Sequence, residues 1–329
     1  FDPDIRICGV ILNRVAGKRH EGKIRANIEK YCGIPVWGAV PKLKAEDFPE
    51  RHMGLVTSSE HETSERALEA AASVAQKHID LDGLYATLDA GKPGPVKIRL
   101  PESGDKNSNT QKPAVTIGVV KDSAFQFYYP DNIDALENLG AEIVYISPLR
   151  QERIPNVDAI YMGGGFPETH APQLAGNTAF RNELRHLSEN GLPIYAECGG
   201  LIFLGESILL DGIEYPMSGI LPVRFGLSKR PQGHGYTKVE VVSENPFFEK
   251  GETLRGHEFR YSSILDIQYT DSQMAFRMER GKGILEKKDG FFKNNTFGTY
   301  THIHALGSVT WAGSLVRKAR TYKLQTTPS

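Results

Sequence analysis

Cys198 stands in Ile194-Tyr195-Ala196-Glu197-Cys198-Gly199-Gly200-Leu201-Ile202, a short apolar run broken by two glycines. A nucleophile lifted above the end of a parallel sheet sits on a tight strand-to-helix turn. Such a turn needs small residues two before and two after the nucleophile, because the backbones there approach closely. Ala196 and Gly200 meet that requirement. A helix opening at Gly199 would aim its N-terminus at the thiol and favour the thiolate, and the Gly199 N–H would be placed to hold an oxyanion. Taken alone, Cys198 could equally be a small buried hydrophobe. A second feature shifts that balance. Gly163-Gly164-Gly165 closes the preceding strand, and ligands of a doubly wound sheet bind beyond the carboxyl ends of its strands. Three glycines permit either a plain tight turn or a turn that exposes an N–H as a second oxyanion donor, with Gly164 at its centre.

A thiol that attacks an amide must lose a proton, and the departing ammonia must gain one, so a base is required. Of the ten histidines, His20, His52, His61, His78 and His186 lie in polar or helical-surface contexts and are expected to be solvated. His302 and His304 follow Gly298-Thr299-Tyr300-Thr301. Alternation there predicts an extended segment with Tyr300, His302 and His304 on one face.

The elements that must position these groups alternate along the chain. Ile5–Leu12 reads as a buried strand, residues 18–31 as a helix and Val36–Val40 as a second strand, a βαβ rhythm. Residues 64–78 and 81–88 read as helices. The stretch 101–113, PESGDKNSNTQKP, is a linker by composition. Beyond it come strand Val115–Val120, helix 132–139, strand 142–146, strand Ala159–Met162, helix 177–189 and strand 192–196. That order predicts a second, doubly wound α/β domain. After about Met217 the pattern becomes richer in β and less regular. The expected division is 1–95, a linker at 96–113, and 114–329.

Bulk properties narrow the class. With 329 residues, 40% hydrophobic and 24% charged, the chain suits two globular domains. A formal net charge of −1 gives no field to recruit nucleic acid or an anionic membrane. The apolar runs are too short for a spanning helix, and three widely spaced cysteines suggest neither a metal cluster nor a disulfide framework, so a reducing cytoplasm is the expected setting. Phe1 is not an initiator methionine, a pattern expected of a piece of a longer protein or of a processed terminus.

These residues resemble the cobyrinic acid a,c-diamide synthase family. The motifs that carry the resemblance are Tyr195-Ala196-Glu197-Cys198-Gly199-Gly200-Leu201, Met162-Gly163-Gly164-Gly165-Phe166-Pro167-Glu168, Gly256-His257-Glu258-Phe259 with Tyr261-Ser262, and Thr299-Tyr300-Thr301-His302. The front segments 9–15, 34–41 and 51–56 resemble the end of that family's ATP-binding domain, which is similar to dethiobiotin synthetase. The fold implied is the C-terminal part of a P-loop, dethiobiotin-synthetase-like parallel sheet followed by a doubly wound glutamine amidotransferase domain. The resemblance implies Cys198 as nucleophile, His302 as its base, and Gly164 and Gly199 as oxyanion donors. Asn13 and Pro41 would approach an ATP adenine, while His257, Glu258 and Tyr261 would line a path to substrate.

The activity so implied activates two carboxylates of a tetrapyrrole-derived ring with ATP and Mg²⁺ and amidates them with ammonia from glutamine. The ring is a cobalt corrinoid or, alternatively, a nickel sirohydrochlorin on the route to coenzyme F430; the tail 301–307 leans towards the archaeal members. The partners expected are that carboxylate and glutamine, with no nucleic acid, no membrane and a homodimer as candidate assembly. Two departures accompany the resemblance. A Gly-rich loop ending in Lys-Thr or Lys-Ser does not occur, so the ATP half-reaction is expected to be missing, no metal site is expected in this chain, and the glutaminase half alone should be competent. The position two after His302, where typical triads carry a glutamate, holds His304. A dyad, or an orienting group from elsewhere, is the expectation. Readings of other classes are a stand-alone cysteine hydrolase and a non-catalytic amidotransferase-like module.

Overall fold

A computed structural model describes residues 7–43, 61–89 and 114–326. Ile5 and Arg6, the stretch 51–56, His52 and the expected linker lie outside the described residues. The chain divides into two compact units, Phe1–Ile98 and Arg99–Ser329.

In the front unit β1 (Val10–Val15) and β2 (Val36–Pro41) pair in parallel around α1 (Lys18–Cys32), followed by α2 (His61–His78) and α3 (Leu81–Asp89). Helix α1 stops where Gly33 takes a left-handed conformation, φ 65°, that glycine adopts without a Cβ penalty. The expected strand Ile5–Leu12 is corrected: the strand runs Val10–Val15 and is buried only at Leu12 and Val15. Those two and Val36 pack with Ile24 and Ile28 of α1, while Ile11 on the other face stays exposed. With one side covered, the apolar run buries alternate residues rather than all of them.

The back unit begins with β3 (Val115–Val120), β4 (Phe125–Phe127), α4 (Pro130–Asn138), β5 (Ala141–Ile146), β6 (Ala159–Met162) and β7 (Gly164–Gly165). It continues with α5 (Ala171–Gly176), α6 (Thr178–Glu189), β8 (Ile194–Glu197) and α7 (Gly199–Leu204). Then come β9 (Ser207–Leu210), β10 (Ile213–Pro216), β11 (Val223–Leu227), β12 (Gly233–Val241), β13 (Thr253–Arg260) and β14 (Ser262–Ile267). The last elements are β15 (Met274–Arg280), β16 (Lys288–Lys293), β17 (Thr296–Thr299), β18 (His302–Ile303) and α8 (Thr310–Thr326).

Its main sheet has ten strands in the order β18-β13-β12-β15-β16-β17-β8-β6-β3-β5. From β17 to β5 the neighbours are parallel; from β18 to β17 they are antiparallel. A doubly wound domain was expected, and that description holds for the parallel half only. The correction has a physical source. Parallel strands need long crossovers, here α4 between β3 and β5, the stretch 147–158 between β5 and β6, and α5 with α6 between β6 and β8, whereas the short links after β11 can join antiparallel neighbours. A further four-stranded sheet, β10-β9-β11-β14, lies in the same unit.

Two apolar clusters flank the main sheet. One gathers Ile160, Met162, Ala196 and Leu201 with Phe180, Leu184 and Phe203. The other gathers Val119, Tyr161, Tyr195 and Phe297 with Trp311, Leu315 and Leu136. Tyr195 and Phe297 stack 5.7 Å apart across β8 and β17. Each such side chain, taken from water, contributes about 1.5–3 kcal/mol, so the β8–β17 seam is held firmly on both faces. No described helix is long and apolar enough to cross a membrane.

Candidate active site

Strand β8 ends at Glu197 and α7 starts at Gly199, leaving Cys198 on the corner with φ 47° and ψ −95°. A β-carbon residue is strained there by roughly 1–3 kcal/mol, and such strain gathers at active sites. Both sides of the corner are tied down. The Cys198 N–H donates to the Thr299 carbonyl at 2.8 Å, and the Gly200 N–H donates to the Gly163 carbonyl at 3.1 Å. A Cβ on Gly200 would stand 2.8 Å from Met162 Cβ and 3.1 Å from Ala196 Cβ, so the close approach expected from the small residues is present. A Cβ on Gly199 would come 2.9 Å from the Gly165 nitrogen. The elbow and the glycine turn therefore face each other, and Gly164 and Gly199 lie side by side. The thiol itself donates weakly to the Phe259 carbonyl, 3.9 Å away.

His302 reaches this corner by register. β17 runs parallel to β8 with Thr299 opposite Glu197, so three residues later the chain is just past the elbow. Between them it bends: β17 stops at Thr299 and β18 begins at His302. The expectation of one extended face carrying Tyr300, His302 and His304 is thereby corrected. Tyr300 turns into the core, bonded to Ser262 Oγ at 2.9 Å beneath the Arg260 guanidinium, while His304 turns to Asp131, 3.6 Å away. The bend is made by a wholly buried carboxylate. Asp289 accepts from the Thr299 and Thr301 hydroxyls at 2.8 and 2.9 Å and from the Tyr300 and Thr301 N–H groups, each at 3.0 Å.

The His302 ring lies beside Cys198, close enough for the thiol to act on its protonation, and its Nδ1 lies 3.6 Å from Glu197 Oε2. Its face stacks on His257, its cross-strand partner, at 4.8 Å and 14°. Burial alone would pull the His302 imidazole down. The neighbouring Cys198 and Glu197 side chains and their negative charge outweigh burial and lift it to about 10. Burial, helped by repulsion from His302, pushes His257 down to about 4. The site thus holds one imidazole ready to carry a proton beside a neutral one. A Cβ on Gly164 would stand 2.5 Å from His302 Cε1, so only glycine leaves room for the ring.

Other expected residues fall elsewhere. Glu258 is 2% exposed, and its carboxylate accepts the N–H groups of Lys282 and Gly283. It clamps the Lys282–Gly283 turn. Tyr261 makes a tilted ring contact with Phe259, centroids 5.9 Å apart. Asn13 and Pro41 lie towards the carboxyl ends of two adjacent parallel strands, Val15 being opposite Pro41. Glu168, just after the glycine turn, is pushed up to about 7 by burial. Among the described residues no group of three His, Cys, Asp or Glu side chains could hold a metal ion.

Sequence reasoning passed over Glu197 and Asp289. For Glu197 a signal existed, an acid as the last residue of an otherwise apolar strand. Asp289 gave none, because its partners are ten and more residues away.

Residues 116–309 match the CobB/CobQ-like glutamine amidotransferase domain family. The chain is 41% identical over 319 residues to a cobyrinate a,c-diamide synthase of Archaeoglobus fulgidus, covering 97% of this chain and 68% of that one. A cobyrinate a,c-diamide synthase of Methanothermobacter thermautotrophicus is 37% identical, covering 97% and 69%. One of Magnetococcus marinus is 36% identical, covering 94% and 66%. The chain spans about two thirds of the length of these curated relatives.

Proposed function

The chain belongs to the cobyrinate a,c-diamide synthase family of CobB/CobQ-like glutamine amidotransferases, and we propose that its back unit hydrolyses glutamine to supply ammonia for an amidation. One observation carries this reading. A strained Cys198 on a strand-to-helix corner lies beside a buried histidine that the opposite half of the sheet delivers.

The Cys198 thiolate, its proton on His302, attacks the carboxamide carbon of glutamine. The Gly164 and Gly199 N–H groups hold the resulting oxyanion. The C–N bond breaks as His302 returns the proton to the leaving nitrogen, giving ammonia and a γ-glutamyl thioester. Water then attacks the thioester with His302 taking its proton, the C–S bond breaks, and glutamate leaves. The ammonia goes to a carboxylate of a tetrapyrrole-derived ring that an ATP-dependent step has activated, with a corrin as the acceptor and Asn13 and Pro41 beside the adenine. ATP and Mg²⁺ serve that other half-reaction.

The test is glutamate formation from glutamine, with and without the Cys198→Ala change. Turnover should fall by about a thousandfold or more in the variant, and a diazo-ketone glutamine analogue should add mass at Cys198 only in the unchanged protein. Equal turnover in both would sink the reading. Cobyrinic acid and Ni-sirohydrochlorin, offered in parallel to the full-length enzyme with ATP and Mg²⁺, should give a doubly amidated product from cobyrinic acid.

A further inference from the structure

We propose that Glu197 is the positioning carboxylate of the Cys198–His302 pair, supplied by the residue just before the nucleophile instead of by one beyond the histidine. This rests on the amidotransferase reading above.

Most carboxylates around His302 are committed to other partners. Asp289 is spent on the Thr299–Thr301 turn, Glu258 on the Lys282–Gly283 turn, and Asp131 faces His304. His304, which occupies the usual triad position, has no carboxylate to give. Glu197 is 2% exposed, and among the described residues it is the acid whose oxygen stands 3.6 Å from His302 Nδ1. That distance is longer than a closed hydrogen bond, as is common in sites without substrate, where catalytic contacts tighten on binding.

The surroundings of Glu197 hold it in that role. Oε1 accepts the Ile303 N–H at 3.1 Å and the Tyr195 hydroxyl at 3.3 Å, and Oε2 accepts the Tyr161 hydroxyl at 3.4 Å. None of these is a cation. A buried carboxylate without a basic partner is costly, and here the charge is satisfied by neutral donors and left open towards His302. The groups facing His302 are then Cys198, Glu197 beside Nδ1 and the neutral His257 on its face. The Ile303 bond adds a second function, because it fixes the backbone beside His302 to the strand that bears Cys198.

How neighbours in sequence serve one histidine follows from strand geometry. Successive side chains of β8 point to opposite faces: Tyr195 lies in one apolar cluster, while Ala196 and Cys198 lie in the other. Glu197 follows Tyr195. At the end of the strand the sheet no longer separates the two faces, and His302 lies across that edge touching both.

The test uses Glu197→Gln and Glu197→Asp in the same glutamine assay, with the pH profile of kcat and the rate of Cys198 alkylation as a function of pH. Glu197→Gln should lower kcat about a hundredfold, leave KM for glutamine within about threefold, and draw the alkaline limb of both profiles to lower pH. Glu197→Asp should restore part of each. In the unchanged protein His302, followed by NMR, should remain an imidazolium at pH 8; this does not depend on any variant folding. A Glu197→Gln protein with the parent's kcat and alkaline limb, or a His302 that titrates near pH 6.5, overturns the positioning role. If Cys198→Ala abolishes turnover while Glu197→Gln matches the parent, only this inference fails; full turnover in Cys198→Ala removes the amidotransferase reading beneath it.

Discussion

The two halves of the ten-stranded sheet build the site by different means. The parallel half presents Cys198 through local geometry: one strand, one corner and one helix within eleven residues, 194–204. The antiparallel half presents His302 through distant contacts, with β18 only two residues long and the bend before it held by Asp289 from another strand. A local corner tolerates change elsewhere, whereas a base hung on a long-range clamp should be lost when the clamp is altered.

The largest effect that would sharpen this contrast is expected from Asp289→Ala. It takes the carboxylate from two hydroxyls and from the backbone N–H groups of Gly290, Tyr300 and Thr301 in the core. A destabilisation of about 3–5 kcal/mol is expected from such a loss, read as a lower urea midpoint, with hydrogen exchange of residues 299–303 rising before that of 194–204. Equal protection in the two stretches would break the comparison. A smaller effect is expected from Gly164→Ala, whose Cβ would meet His302 Cε1 at 2.5 Å. The ring must move, so kcat for glutamate formation should drop about 10- to 100-fold, in the range of losing one aligned catalytic contact, while alkylation of Cys198 by iodoacetamide persists. Retention of full kcat would show that the histidine needs no fixed seat.

The smallest effect concerns pH. His302 is lifted from the ordinary 6.5 to about 10 in the folded state. The folded protein therefore holds this proton more tightly, and the stabilisation is whole below pH 6.5 and disappears as pH rises through 10. Urea midpoints should fall between pH 6.5 and 10 more steeply in the parent than in His302→Gln. Parallel slopes would mean that the folded site does not favour the proton.

Much of the parallel half was legible. Val115–Val120 and Ala159–Met162 have the expected bounds, because a strand covered on both faces must be apolar throughout, and short helices separate such runs. The elbow was legible for the same local reason: Ala196 and Gly200 are small because Met162 leaves no space. The antiparallel half was seen only as irregular β. Its strands alternate, as in β12, where buried positions are spaced by exposed ones, and alternation says which face is inside but not which strand lies alongside. The register that sets His257 against His302 was therefore invisible.

By itself, then, the sequence determined the tight corner at Cys198, the glycine turn before it and the βαβ frame, since each depends on side-chain size and polarity within one or two adjacent elements. Only the tertiary structure decided which acid stands beside His302. His304 holds the usual triad position, and Glu197 lies more than one hundred residues earlier; the two are joined by the parallel pairing of β8 with β17. That choice rests on register and on the burial of competing carboxylates against backbone donors, which are properties of the folded chain as a whole.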